Sequence, residues 1–88
     1  MGEEEFRALL ASKGYGSVKV KDFAPNFYDP MHTHDVSIMG LVIDGEITLE
    51  WESGETTYAV GDYCDFAAGT LHAERTGDSG ATLVLSYK

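Results

Sequence analysis

Apolar positions change their spacing once along this chain. In residues 3–13, EEEFRALLASK, Phe6, Leu9 and Leu10 recur at i, i+3 and i+4, which predicts one short amphipathic helix. Three glutamates suit the positive N-terminal end of its dipole and Lys13 the other end, with Gly14 as the stop. The stripe is expected to pack on its own domain; a contact with a second copy is the other reading. After Gly16 the period becomes two. SVKVKDF sets Val18 and Val20 on one face and Lys19 and Lys21 on the other, and FYDPMHTH continues extended. VSIMGLVI is an apolar run that stops at Asp44-Gly45, a turn signal, and EITLEW alternates with Ile47, Leu49 and Trp51 on one face. TYAV, YCDF, TLHAERT and ATLVLSY follow, set apart by Gly61-Asp62, Ala68-Gly69 and GDSG. Roughly eight short strands divided by glycine-containing turns predict an all-β sandwich or barrel. Residues 1–16 are expected to form the helix and its connector, and 17–88 a single barrel domain.

Size and charge narrow this picture. A domain of 88 residues buries only roughly 60–65% of its unfolded surface, so its core is marginal and is expected to lean on a metal or a second copy. Six basic against fifteen acidic residues leave a net charge of −9. Such a surface repels a phosphate backbone and an anionic bilayer, so neither nucleic acid nor membrane is an expected partner. The single cysteine, Cys64, allows no internal disulfide. The acidic N-terminus carries neither a signal-peptide pattern nor an apolar span, and a cytoplasmic protein is expected.

The candidate chemistry sits on three histidines. His32 and His34 stand one residue apart in an extended stretch, so they face the same way. Alone they read either as a chelating pair or as two polar residues on a wet face. The third, His72, follows Gly61, five residues, Ala67-Ala68-Gly69 and two residues, and is itself followed by three residues and Thr76. His32-Thr33-His34 is followed by three residues, Ile38, six residues and Gly45. This double pattern over residues 25–87 resembles the cupin superfamily. Its first motif runs Gly, five residues, His-x-His, three or four residues, Glu, six residues, Gly. Its second runs Gly, five residues, Pro-x-Gly, two residues, His, three residues, Asn. All three histidines match. Asn26 stands where the first glycine belongs, Ile38 where the glutamate belongs, and Ala67 and Thr76 replace proline and asparagine. Asparagine tolerates left-handed backbone, so the turn at Asn26 is expected to survive.

The resemblance implies a jelly-roll barrel, or double-stranded β-helix, with the short helix ahead of it. It implies a divalent transition metal (Zn, Fe, Ni, Cu or Co) held by His32, His34 and His72 at the barrel mouth, with positions left for a ligand. The function it implies is a small metalloenzyme acting on a small oxygen-bearing molecule, with a dioxygenase as subclass. The alternative is a non-catalytic binding or sensing cupin. A homodimer is expected because small cupins commonly pair. Glu74 lies two residues past His72 and would face the same way, as a replacement carboxylate ligand or a proton-transfer group. Tyr28 is a second candidate proton shuttle, and with Phe27 and Tyr63 it could form an aromatic wall. Glu50 is open to the same reading as Glu74. Asp35 should point away from the site, and Ile38 into it. Cys64, Met31 and Met39 read first as packing.

Overall fold

One helix and six strands form in the computed structural model, which describes all 88 residues: α1 Glu3–Ser12, β1 Val18–Phe23, β2 Tyr28–His32, β3 Ile38–Trp51, β4 Gly54–Ala59, β5 Tyr63–Phe66 and β6 His72–Tyr87. Strands β3 and β6, 14 and 16 residues long, pair antiparallel along most of their length. Each bends at its middle. The first half of β3 pairs β5, and the last part of β6 pairs β1. The second half of β3 pairs β4, and the start of β6 pairs β2. The result is two four-stranded layers, β1-β6-β3-β5 and β2-β6-β3-β4, that share the two bent strands and enclose a jelly-roll interior.

The expectation of eight strands is therefore corrected to six. Asp44-Gly45 and GDSG do not reverse the chain; they bend it. Gly45 (φ +69) and Gly80 (φ +66) adopt left-handed backbone side by side, Gly45 being paired with Ala81. The β3–β6 register shifts on either side of this point, between Val42 and Asp44 and between Gly45 and Ile47. Bulges of this kind sharpen a strand's bend without ending its pairing. At Asn26 (φ +57), the one non-glycine residue with positive φ, the turn forms as expected, and its N–H donates to Gly77 O. Thr76, where the motif has asparagine, secures the same loop: its hydroxyl donates to Ala24 O at 2.6 Å and accepts from the Phe27 N–H at 2.9 Å.

The unbroken apolar run in β3 has a structural reason. Its first half is covered on both faces, so alternation is lost. Ile38 and Val42 turn into the barrel, where they meet Phe23, Ile47, Leu83 and Leu85. Met39 and Leu41 turn outward with Val84 and are covered by Phe6 and Leu10 of α1, with Val18 beside them. The helical stripe thus packs on its own domain. Gly14 (φ +80) ends the helix, and the Tyr15 N–H returns to Leu10 O. No helix is long and apolar enough to cross a membrane.

Candidate metal centre

Two strand neighbours place the histidines. His32, the last residue of β2, is directly opposite His72, the first of β6. Glu74 follows on the same face of β6, as period-two alternation requires. His34 lies just past the end of β2 in the loop to β3, so the extended stretch expected to carry both histidines ends at the first of them. That loop is held by the turn before β6: the Gly69 N–H donates to His34 O at 2.9 Å, and the Ala68 N–H donates to Ser37 Oγ at 3.2 Å. Gly69 has φ +81, a conformation that a side chain would strain. The motif's glycine therefore positions two histidines, one on each side of it.

One ligand atom from each of His32, His34, His72 and Glu74 lies within 4.8 Å of the others. His32 Nε2 is 3.1 Å from His34 Nε2 and 3.4 Å from Glu74 Oε2, and His72 Nε2 is 3.6 Å from the same carboxylate oxygen. Donors bonded at about 2.1 Å to one ion stand roughly 3.0–3.4 Å apart, so the two closer pairs match that spacing and the others would have to draw in slightly around a shared cation. Tautomers point the same way. The Nδ1 of His32 is 2.6 Å from Pro30 O, and that of His72 is 2.9 Å from Thr70 O. A carbonyl only accepts, so each Nδ1 carries a proton, and in the neutral ring each Nε2 presents a lone pair. Two imidazole lone pairs and a carboxylate then face one another, which is unfavourable unless a cation lies between them. His72 is 1% exposed, and its Nε2 has no hydrogen-bond partner. A buried orphan of this kind calls for a partner, an ion or an ordered water. Burial lowers the pKa of His34 from the ordinary histidine value, helped by the neighbouring His32 and His72, which keeps its ring neutral for ligation.

Beside the cluster lies a cavity of about 90 Å³, with His34, Glu74, Asp29, Ile38 and Phe66 among its lining residues. That is room for a few waters at roughly 30 Å³ each. Ile38 turns inward, as expected from its place in the motif. Tyr28 does not line the cavity: it is 58% exposed and pairs with Arg75. A register shift between Asp29 and His32 explains this, because it lets Asp29 join the inward row while Tyr28 stays outside. Asp29 Oδ2 is 3.8 Å from His32 Nε2, a neighbour that alternation alone did not reveal. Nor do the expected residues form the aromatic wall. Phe66 packs 4.7 Å from the His72 ring and edge-on to Trp51, while Tyr63 sits against Phe6 on the helix side. Only Phe27 touches the inner core, edge-on to Phe23. Glu50 is engaged elsewhere, at 2.8 Å from Arg75 Nη1, and Arg75 also holds Glu55 at 2.6 Å. Asp35 is exposed, Met31 is 43% exposed, and Met39 is buried under the helix.

Cys64 is buried in the wall of the same cavity, and burial pushes its thiol up to about 12. At pH 8 it is therefore expected to resist iodoacetamide for hours in the native protein and to react fully in denaturant. Rapid native alkylation, read by mass spectrometry, would show an accessible thiolate instead.

With this geometry in place, comparisons place the chain among known proteins. The sequence model of the cupin domain matches residues 19–87. No curated protein matches the chain. Among solved structures, a protein of unknown function from Rhizobium leguminosarum superposes with a TM-score of 0.75 at 17% identity, covering 80% of this chain and 66% of that one. The DMSP lyase DddQ from Ruegeria pomeroyi gives 0.72 at 22% identity, over 81% of this chain and 36% of the other. Drosophila melanogaster CENP-C bound to CAL1 gives 0.69 at 20%, over 81% and 60%. The chain spans no more than about two thirds of these structures' own lengths, and at such identities they share its fold alone.

Proposed function

The chain belongs to the cupin domain family, and on that premise we propose that it is a small metalloenzyme whose divalent transition metal is held by His32, His34 and His72, with Glu74 completing the set. The observation that carries this reading is His72 Nε2: fully buried, unpartnered, and turned by the Nδ1–Thr70 hydrogen bond to present a lone pair to the other donors. The carboxylate that the family motif supplies from the position of Ile38 comes here from Glu74, on the strand opposite. Three imidazoles and one carboxylate suit zinc, iron, nickel, copper or cobalt, and the donor set does not choose among them. When bound, such an ion supplies Lewis acidity and, if it is iron, redox chemistry of the kind a dioxygenase needs.

The chain's own residues do the rest. The small cavity admits one small oxygen-bearing molecule against His34 and Glu74. Phe66, Ile38 and Leu49 in its lining exclude bulk water and strengthen polar contacts inside. Asp29, next to His32 and lining the same cavity, is placed to hold a proton at its Oδ2. Elemental analysis of untagged protein tests the proposal: about one transition metal per chain is expected. Protein that contains no metal and takes none up would favour a metal-free binding cupin instead. A homodimer belongs to the same proposal, since the marginal core of so small a domain gains from pairing. Sedimentation as a monomer at micromolar concentration would remove that part.

A further inference from the structure

Strand β1 sets its lysines, both exposed to solvent, on the cavity side and its valines on the other, against the usual order of apolar side chains in and charged ones out. Lys21 pairs with Leu83 and Lys19 with Leu85, and both leucines face the barrel interior. Cross-strand partners share a face, so the lysines stand on the cavity side of β1. Lys21 itself lines the cavity that His34 and Glu74 line. Val20, on the other face, is left 61% exposed. A local rule broken in this way calls for a compensating role.

The charge pairing isolates the same two residues. Among the six lysine and arginine side chains, Arg7 pairs with Glu3, Lys13 with Asp65, Arg75 with Glu50 and Glu55, and Lys88 donates to Lys13 O. Lys19 and Lys21 alone have neither an acidic partner nor a hydrogen bond, in a chain with fifteen carboxylate side chains. Their ammonium groups lie over aromatic rings instead: Lys19 Nζ is 4.8 Å from the centre of Tyr87, and Lys21 Nζ is 4.7 Å from that of Phe23. Both rings also line the cavity. A cation resting on a ring keeps its N–H donors free for an anion.

We propose that Lys21, with Lys19 at the outer rim, receives the carboxylate of a short aliphatic carboxylic acid whose other end reaches the His34–Glu74 side of the cavity. This rests on the cavity being the substrate site of the reading above. A carboxylate fits better than a phosphate. The space is small, a lysine is a single point charge, and the far end already carries Asp29 and Glu74, which repel a dianion. Phe23, Leu83 and Leu85 suit a short alkyl stem between the two polar ends.

The test is titration with propanoate, propanamide and inorganic phosphate at low salt, followed by amide chemical shifts of the zinc-loaded protein. Wild type is compared with Lys21→Met, which keeps the apolar stem and removes the charge, and with Lys19→Met. Propanoate is expected to shift Phe23, Phe66 and Leu83 in wild type. Its affinity should fall on the order of tenfold to a hundredfold in Lys21→Met, less in Lys19→Met, and fall with added salt. Propanamide and phosphate should bind at least about tenfold more weakly than propanoate. Propanoate binding that Lys21→Met leaves unchanged, no propanoate binding at all, or a preference for phosphate would overturn the proposal and leave the lysines as guards of an exposed sheet edge. Zinc content measured on the same samples separates the two readings. A full metal site with Lys21-independent binding overturns this inference alone. An empty site with Lys21-dependent binding supports it and removes only the metal.

Discussion

His72→Ala is expected to abolish metal binding in this protein and, with it, the dependence of its stability on metal. The native structure surrounds His72 Nε2 with His32, His34 and Glu74 and gives it no protein hydrogen bond. In wild type, removing the metal with a chelator leaves that nitrogen buried and unsatisfied, which costs about 1–3 kcal/mol. It also removes the mass-action stabilisation by a ligand of the native state, about 4 kcal/mol at a thousand times the dissociation constant. The variant has no such nitrogen and loses one of the four proposed metal-binding side chains. Its affinity should therefore drop by more than the roughly 10–100-fold expected from losing an outer hydrogen-bond partner. Urea unfolding of both proteins, with and without chelator, reads this directly. Wild type should shift by several kcal/mol and His72→Ala by almost nothing. A variant that still binds one metal per chain, or a wild type indifferent to the chelator, would sink the metal centre.

Gly45→Val is expected to remove a large share of the protein's stability. A Cβ at Gly45 would meet Gly80 O at 2.1 Å and the Ala81 Cα at 3.0 Å, both main-chain atoms of the neighbouring strand. They cannot move aside without opening the β3–β6 ladder that both layers share. Left-handed backbone at a non-glycine residue adds about 1–3 kcal/mol, more for a β-branched side chain, and forced overpacking adds about 1–3 more. Natural domains have roughly 0.05–0.15 kcal/mol of stability per residue, so 88 residues give about 4–13 kcal/mol in all. The combined cost is a large share of that range. Gly16→Val is the control, because a Cβ there meets nothing within 4 Å. Circular dichroism melts should show a transition near that of wild type for the control and one lowered by more than about ten degrees for Gly45→Val. A Gly45→Val protein that melts within a few degrees of wild type would mean that the bend yields readily.

Much of this protein was legible along the chain because its signals are local. The change from helical to alternating spacing after Gly16 separates α1 from the strands, and the spacing around Gly61, Gly69 and His72 sufficed to show the resemblance to cupins. Ile38 turned inward as its position implied, because a motif position carries its orientation with it. Glu74 could be placed on the face of His72 because two residues on one strand share a face whatever else the strand does.

Other features depend on where one strand meets another. Asp44-Gly45 and GDSG carry the same residues whether they reverse a strand or bend it. The choice was made by Gly45 and Gly80 lying against each other, which requires both strands to be in place. Asp29 displaced Tyr28 from the inner row through a bulge between Asp29 and His32, a feature of the β2–β6 pairing that neither strand shows alone. The aromatic wall came from Phe66 and Trp51 for the same reason. Lys21 gives the sharpest case. The alternation in SVKVKDF separated lysines from valines correctly but could not say which set faces inward. A period of two defines two faces and leaves them equivalent. By itself, the sequence determined the fold family, the helix, the alternation of each strand and the three histidines. Register and closure of the barrel decided which alternate row became interior, and so which carboxylate and which lysine the cavity received. Those are properties of packing between distant segments, where a one-residue shift exchanges inside for outside.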